Sequence, residues 1–152
     1  MSKLVPLETT LEVRDTCLCL HVQRAARTLA RRFDEALRPV GLTSGQFSLL
    51  NALNRPEPPP LGRVAHLLAM DRTTLTAALR PLERNGLVAT AIDPDDRRSR
   101  LLRLTDKGQG VLASAVPIWR DTHAAIEAGL PALQPDSLRG ALKTLSDFRP
   151  AP

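Results

Sequence analysis

One run constrains the fold of this chain more than any other: Asp93-Pro-Asp-Asp-Arg-Arg-Ser-Arg-Leu-Leu-Arg-Leu-Thr-Asp-Lys-Gly108. Asp-Pro opens a turn, because proline presets φ and aspartate bonds its own downstream backbone. Arg97, Arg98, Arg100 and Arg103 then fall within seven residues. Strands are expected at 87–92 and 100–104, on either side of this charged turn. Its tip has too little apolar surface to exist for packing. An arginine-tipped ribbon beside a helix has the shape to enter a DNA minor groove while the helix occupies the adjacent major groove.

The helix that would do so precedes the hairpin. Asp71 is a good N-cap, and Leu75, Ala78, Leu79 and Leu82 recur at i, i+3, i+4 and i+7. That spacing leaves Arg72, Thr73, Thr76 and Arg80 pointing away from the core. Thr73, Thr74 and Thr76 open the helix against propensity, since β-branched residues are indifferent helix formers. Their hydroxyls suit phosphates or base edges and their methyls suit thymine. Tolerance of threonine in a first turn is the bland alternative, weakened here by Arg72 and Arg80 on the same face. Arg84 is expected to meet phosphate. Pro81 should bend or loosen the last turn, and Asn85-Gly86 ends the helix. Arg97 and Arg98 would ordinarily read as solvated charge; their position just beyond this helix argues otherwise. Asp96, two residues before Arg98, is placed to hold that guanidinium extended.

Flanking segments are helical. Val13 to about Pro39 reads as one helix through Leu18, Val22, Ala25, Leu29, Phe33 and Leu37. A second starts after Thr43 and buries Phe47, Leu50 and Leu53. The stretch Arg55-Pro-Glu-Pro-Pro-Pro60 stops it and serves as a stiff spacer. A short helix carries Leu61, Val64, Ala65 and Leu68. After Thr105 comes a long helix with Leu112, Ala115, Trp119, Thr122 and Ile126, kinked at Pro117. A last one after Pro135 bears Leu138, Ala141, Leu142, Leu145 and Phe148. The fold class is mainly α with a small β-hairpin wing (α+β): a winged helix-turn-helix with N- and C-terminal dimerisation helices. One domain spans 12–148, with a DNA-binding lobe at about 43–104 and dimerisation helices at about 12–39 and 105–148. The outer helices carry more apolar stripe than a lone small domain needs, which a two-fold homodimer would cover.

Composition narrows the function classes. A formal charge of +5, from arginine more than lysine, favours a polyanionic partner. No apolar run approaches the roughly 20 residues of a membrane span, and the N-terminus has no signal-peptide apolar segment, so a cytoplasmic protein is expected. Asp93, Asp95 and Asp96 lack the glycine and terminal glutamate of a calcium loop. His21, His66 and His123 lack zinc-ligand spacing, so neither metal nor cofactor is expected. His21 and His123 lie on helices that face one another if the ends pack together, which would suit a ligand pocket. Nothing resembles a nucleophile elbow or a phosphate-binding glycine loop, and no enzyme is expected. Cys17 and Cys19, at i and i+2 of one helix, would point apart and not pair; Arg14, His21 and Arg24 surround them with positive charge.

From residue 12 to 148 the chain resembles the multiple antibiotic resistance regulator (MarR) family of bacterial transcription factors. The resemblance is carried by Asp71-Arg-Thr-Thr-Leu-Thr-Ala-Ala-Leu-Arg-Pro-Leu-Glu-Arg-Asn-Gly-Leu-Val88, by Asp93-Pro-Asp-Asp-Arg-Arg98 and by Leu102-Arg-Leu-Thr-Asp-Lys-Gly108, with Gly41-Leu-Thr-Ser-Gly-Gln-Phe-Ser-Leu-Leu50 in support. It implies a homodimer on pseudo-palindromic double-stranded DNA. Arg98 would enter the minor groove, oriented by Asp96, and the helix from Asp71 would contact the major groove. It also implies control by a small aromatic or phenolic ligand, or by oxidants. Cys19 falls where a hydroperoxide-sensing branch keeps its reactive thiol. Gln23, Phe33 and Ser44 stand where that branch places phenol groups, and the chain has no tyrosine. The reading is therefore a DNA-binding regulator, a repressor released by an effector. The alternatives are redox sensing through Cys19, a winged-helix interaction module that does not read DNA, and a thiol enzyme.

Overall fold

The computed structural model describes residues 4–130, 132 and 134–149. Its elements are α1 (Leu7–Thr16), α2 (Leu18–Leu37), a 3₁₀ turn (Arg38–Val40), α3 (Ser44–Leu53), α4 (Leu61–Leu67), α5 (Arg72–Arg84), β1 (Val88–Ile92), β2 (Arg100–Leu104), α6 (Asp106–Ala128) and α7 (Pro135–Asp147). This is the mainly helical winged architecture expected.

Leu37, Leu50, Leu75, Leu82, Leu102 and Val64 are the large side chains fully removed from solvent, one or more from each of α2, α3, α5, β2 and α4. Leu112 and Ala115 of α6 complete the core. Capping fixes where the helices begin. Thr43 and Gln46 form a reciprocal box at α3: the Thr43 hydroxyl accepts from the Gln46 amide at 3.2 Å, and the Gln46 side chain accepts from the Thr43 amide at 3.0 Å. The Ser44 amide donates to Asp34 at 2.6 Å, which ties α2 to the same start. Thr105 caps α6 by accepting from Gly108, and its own hydroxyl donates to the Gly86 carbonyl at 2.6 Å.

Three expectations are corrected. The helix read from Val13 to Pro39 is two helices, broken at Cys17, whose backbone is extended (ψ 108°). The Cys17 sulfur accepts from the Leu20 amide at 3.5 Å, so the residue acts as an N-cap, a role the apolar period of α2 does not reveal. It therefore does not lie on one helix with Cys19. Second, the proline stretch is more than a spacer. The Pro59 carbonyl accepts from the Leu102 amide at 3.0 Å, and Pro60 bridges Leu101, which clips the segment to the edge of β2. Proline donates nothing to a ladder but still accepts, so it fits such an edge. Third, α5 and α6 run on as single helices past Pro81 and Pro117.

The hairpin is antiparallel, with Val88 opposite Leu104 and Ile92 opposite Arg100. Buried side chains cluster at its base, and the pattern opens to solvent towards the tip. The apolar residues of α7 (Leu138, Leu142, Leu145 and Phe148) and of the first half of α2 (Leu18, Val22) are exposed in the single chain.

Candidate nucleic-acid interface

The turn into α5 sets that helix against α4. Ala69 adopts the left-handed conformation (φ 52°), while Ala69 and Met70 return their amides to the carbonyls of His66 and Ala65. This is the two-bond C-terminal motif usually closed by glycine, here built on alanine. Asp71 then caps α5, accepting from the Thr74 amide and the Thr74 hydroxyl, each at 2.7 Å. At the other end Gly86 (φ 72°) closes the same motif, with Gly86 bonded to Glu83 and Leu87 to Leu82. Leu75, Leu79 and Leu82 are buried, so the opposite face is turned outward.

That face is open. Arg72, Thr73, Thr76, Arg80 and Arg84 are all exposed. Thr73, Thr76, Arg80 and Arg84 follow one another at three- and four-residue steps and form a stripe. Two of the predicted residues are arranged differently from expectation. Thr74 spends its hydroxyl on Asp71 and belongs to the cap. The Arg72 guanidinium folds back over α4, so close that a Cβ on Gly62 would lie 2.8 Å from it. Thr76 donates to the Arg72 carbonyl at 2.8 Å, which fixes its rotamer and leaves its methyl and an oxygen lone pair free.

The Asp71 carboxyl is held below its ordinary value of 3.8, first by the Thr74 hydroxyl and then by the Thr74 amide. A depressed carboxyl contributes stability in full above its unfolded value, and loses it as pH falls through the folded one. Thermal unfolding of Asp71→Ala should therefore fall below wild type at pH 7, with the gap closing by pH 3. A gap of equal size at both pH values would remove the cap from the account.

At the wing, the acidic residues turn out to organise the loop. Asp93 accepts from the Asp95 amide at 2.9 Å, and Asp96 accepts from the Arg98 amide at 3.0 Å. The Asp93 amide donates to the Ser99 carbonyl and the Ser99 amide to Asp96. Asp96 thus positions Arg98 through its backbone rather than by gripping its guanidinium, as the sequence suggested. Arg97, Arg98, Arg100 and Arg103 are exposed. Among the described residues none of the four forms an ion pair. Between α5 and the hairpin lies a groove of about 430 Å³ bordered by Thr76, Arg80, Ile92 and Arg100. The Thr90 hydroxyl bonds the Glu83 carboxylate across its floor, a link no sequence period signals.

The other candidates lie elsewhere. Cys19 is exposed and its sulfur accepts from the Gln23 amide at 3.3 Å. His21 contacts the Cys17 carbonyl through Nδ1 at 2.8 Å. His123 stacks on Trp119, with ring centroids 5.0 Å apart. Their neighbours differ, and the two histidines do not form a shared pocket. Among the described residues no cluster of three or more His, Cys, Asp or Glu could hold a metal ion, and no helix is long and apolar enough to cross a membrane.

Residues 42–108 match the winged helix DNA-binding domain family. The M. tuberculosis transcriptional regulator MosR, solved in complex with DNA, is 36% identical with a TM-score of 0.78, over 86% of this chain and 93% of that one. The chain belongs to the MarR family of winged helix-turn-helix transcriptional regulators. The transcriptional repressor CouR, solved on a 23-mer DNA duplex, is 30% identical with a TM-score of 0.70, covering 95% of this chain and 97% of that one. The transcriptional activatory protein BadR of Rhodopseudomonas palustris is 35% identical over 97 residues. That alignment takes in 62% of this chain and about half, 55%, of BadR. MarR-family regulators are dimers, and this chain is a DNA-binding regulator of that type.

Proposed function

We propose that two copies of this chain bind a pseudo-palindromic operator as a repressor, and that a small-molecule effector releases them. Each copy would lay the Thr73–Thr76–Arg80–Arg84 stripe of α5 in a major groove and Arg97 and Arg98 in the adjacent minor groove. The observation that carries this reading is the wing: arginines exposed without ion pairs, on a loop whose own acids are occupied with its backbone. The apolar faces of α2 and α7 that a single chain leaves bare support the second copy. We assign the dimerisation role to 12–39 and 105–148 and the DNA-binding lobe to 43–104. The protein works in the cytoplasm and performs no catalytic step. An effector favouring a half-site spacing other than the roughly 34–36 Å groove repeat shifts the dimer off DNA.

Duplexes selected from a random pool test this reading, with affinities then measured across a salt series. Arg72→Ala and Thr76→Val are expected to change which bases are preferred. Arg84→Ala should weaken all duplexes alike and reduce the salt slope by about 1. Base preferences unchanged in the first two variants would remove α5 from the major groove. A second reading, hydroperoxide sensing at Cys19, is favoured by the exposed thiol and the Gln23 amide that donates to it. A peroxide response that survives Cys19→Ser rules it out.

A further inference from the structure

Two hollows meet where α3, α4 and α6 converge. The first, of about 540 Å³, has an aromatic floor. Phe47 and Trp119 stack with centroids 6.1 Å apart and planes at 21°, and His123 continues the stack beyond Trp119. Leu67, Leu68 and Val116 add apolar wall, and Arg55 and Arg120 stand at its border. The second, of about 740 Å³, lies beneath the proline arch 56–60 and is bordered by Arg55, Arg63 and His66. Ala52, Arg55 and Leu67 line both, so the two form one trough.

We propose that this trough is the effector site, and that it takes an aromatic organic anion bearing a phosphate-containing tail. The ring stacks at Phe47 and Trp119, and the tail runs under the proline arch along Arg55, Arg63 and His66. This deepens the effector-release reading and rests on it. The aromatic floor selects a planar apolar group, since offset stacking adds to area burial. The arch selects differently. Its prolines offer no N–H, so anchoring falls to the guanidinium groups, which fork onto phosphate oxygens. Among the described residues Arg55, Arg63 and Arg120 form no ion pair. Acid is present: Glu57 stands in the arch wall, and Asp147 at the end of α7 feels the charge of His66. Two arginines and a histidine against Glu57 still leave the annex cationic. Position gives the site its consequence. The arch is clipped to β2 by the Leu102–Pro59 bond and the Pro60–Leu101 bridge, so a tail that displaces it moves the strand carrying the wing.

The test uses the full chain and p-coumarate, an aromatic acid available with and without a phosphate-bearing tail. Trp119 is the only tryptophan and tyrosine is absent, so fluorescence reports from the site itself. The coenzyme A thioester is expected to quench Trp119 and bind about tenfold or more tighter than free p-coumarate, a gain of about 1.4 kcal/mol. It should also lower affinity for a selected operator duplex. Arg63→Ala should bring the thioester to the level of the free acid and leave the acid unchanged. A thioester no tighter than the acid, or a preference untouched by Arg63→Ala, overturns the tail site even if the acid quenches Trp119 and releases DNA. If neither compound quenches or releases, both the trough and the effector reading it rests on fail. Equal competition by inorganic phosphate and by coenzyme A also overturns the proposal, since it would show a free-anion site with no use for the tail.

Discussion

Gly108→Ala is expected to lower the unfolding temperature by roughly 6–12 °C, the equivalent of about 3 kcal/mol for a chain of this size. Gly108 is buried in the first turn of α6, and an added Cβ would lie 2.1 Å from the Leu87 carbonyl oxygen and 3.0 Å from its carbon. Both atoms are backbone, so no rotamer relieves the collision. Moving α6 away instead breaks the Thr105 amide bond to that same carbonyl and the Thr105 hydroxyl bond to Gly86. These are the contacts that join the end of the recognition helix, the root of the wing and the start of the long helix. The variant should therefore lose operator affinity along with stability. Gly110→Ala, two residues on in the same helix, has nothing within 4 Å of the new Cβ. It should gain up to about 1 kcal/mol from helix propensity. Thermal melts followed by circular dichroism compare the two directly. Similar shifts in both variants would mean that the junction is looser than it is drawn here.

Arg98→Ala is the second large expected effect, on binding rather than folding. The side chain is exposed, with its amide fixed by Asp96, so removing it disturbs no packing. One arginine contact to DNA contributes about 1–3 kcal/mol, and a dimer loses two. Operator affinity at moderate salt should fall at least roughly 30-fold, about 2 kcal/mol, with the melting temperature unchanged. Asp96→Ala frees the Arg98 amide and should give part of that loss, while Asp96→Asn keeps an acceptor oxygen and should restore most of it. A full loss in Asp96→Asn would mean that the carboxylate charge matters more than the turn.

Much of this was legible in the sequence because the signals are local. Thr43, Asp71 and Thr105 announce helix starts, Asn85-Gly86 announces a stop, and the α5 leucines fall on the face that is buried. The charged turn between two short strands is as plain. What escaped depends on partners distant in sequence or on one backbone angle. The break at Cys17 sits inside an unbroken apolar period, and a sulfur cap is a weak sequence signal. The clip between the proline arch and β2 joins residues about forty positions apart. Aspartates near arginines suggested an ion pair, whereas the short side chain of Asp96 meets the nearer amide first. The geometry of Ala69 overrides what alanine prefers, and nothing in its neighbours predicts it.

Hydroxyl-radical footprinting of a selected duplex, with wild type and Arg98→Ala side by side, tests the central claim most directly. The account predicts a two-fold symmetric pattern with half-sites about 10–10.5 base pairs apart or a multiple of that. Minor-groove protection beside each half-site should vanish in the variant while the major-groove contacts persist. A single asymmetric footprint, or minor-groove protection that remains without Arg98, would contradict it.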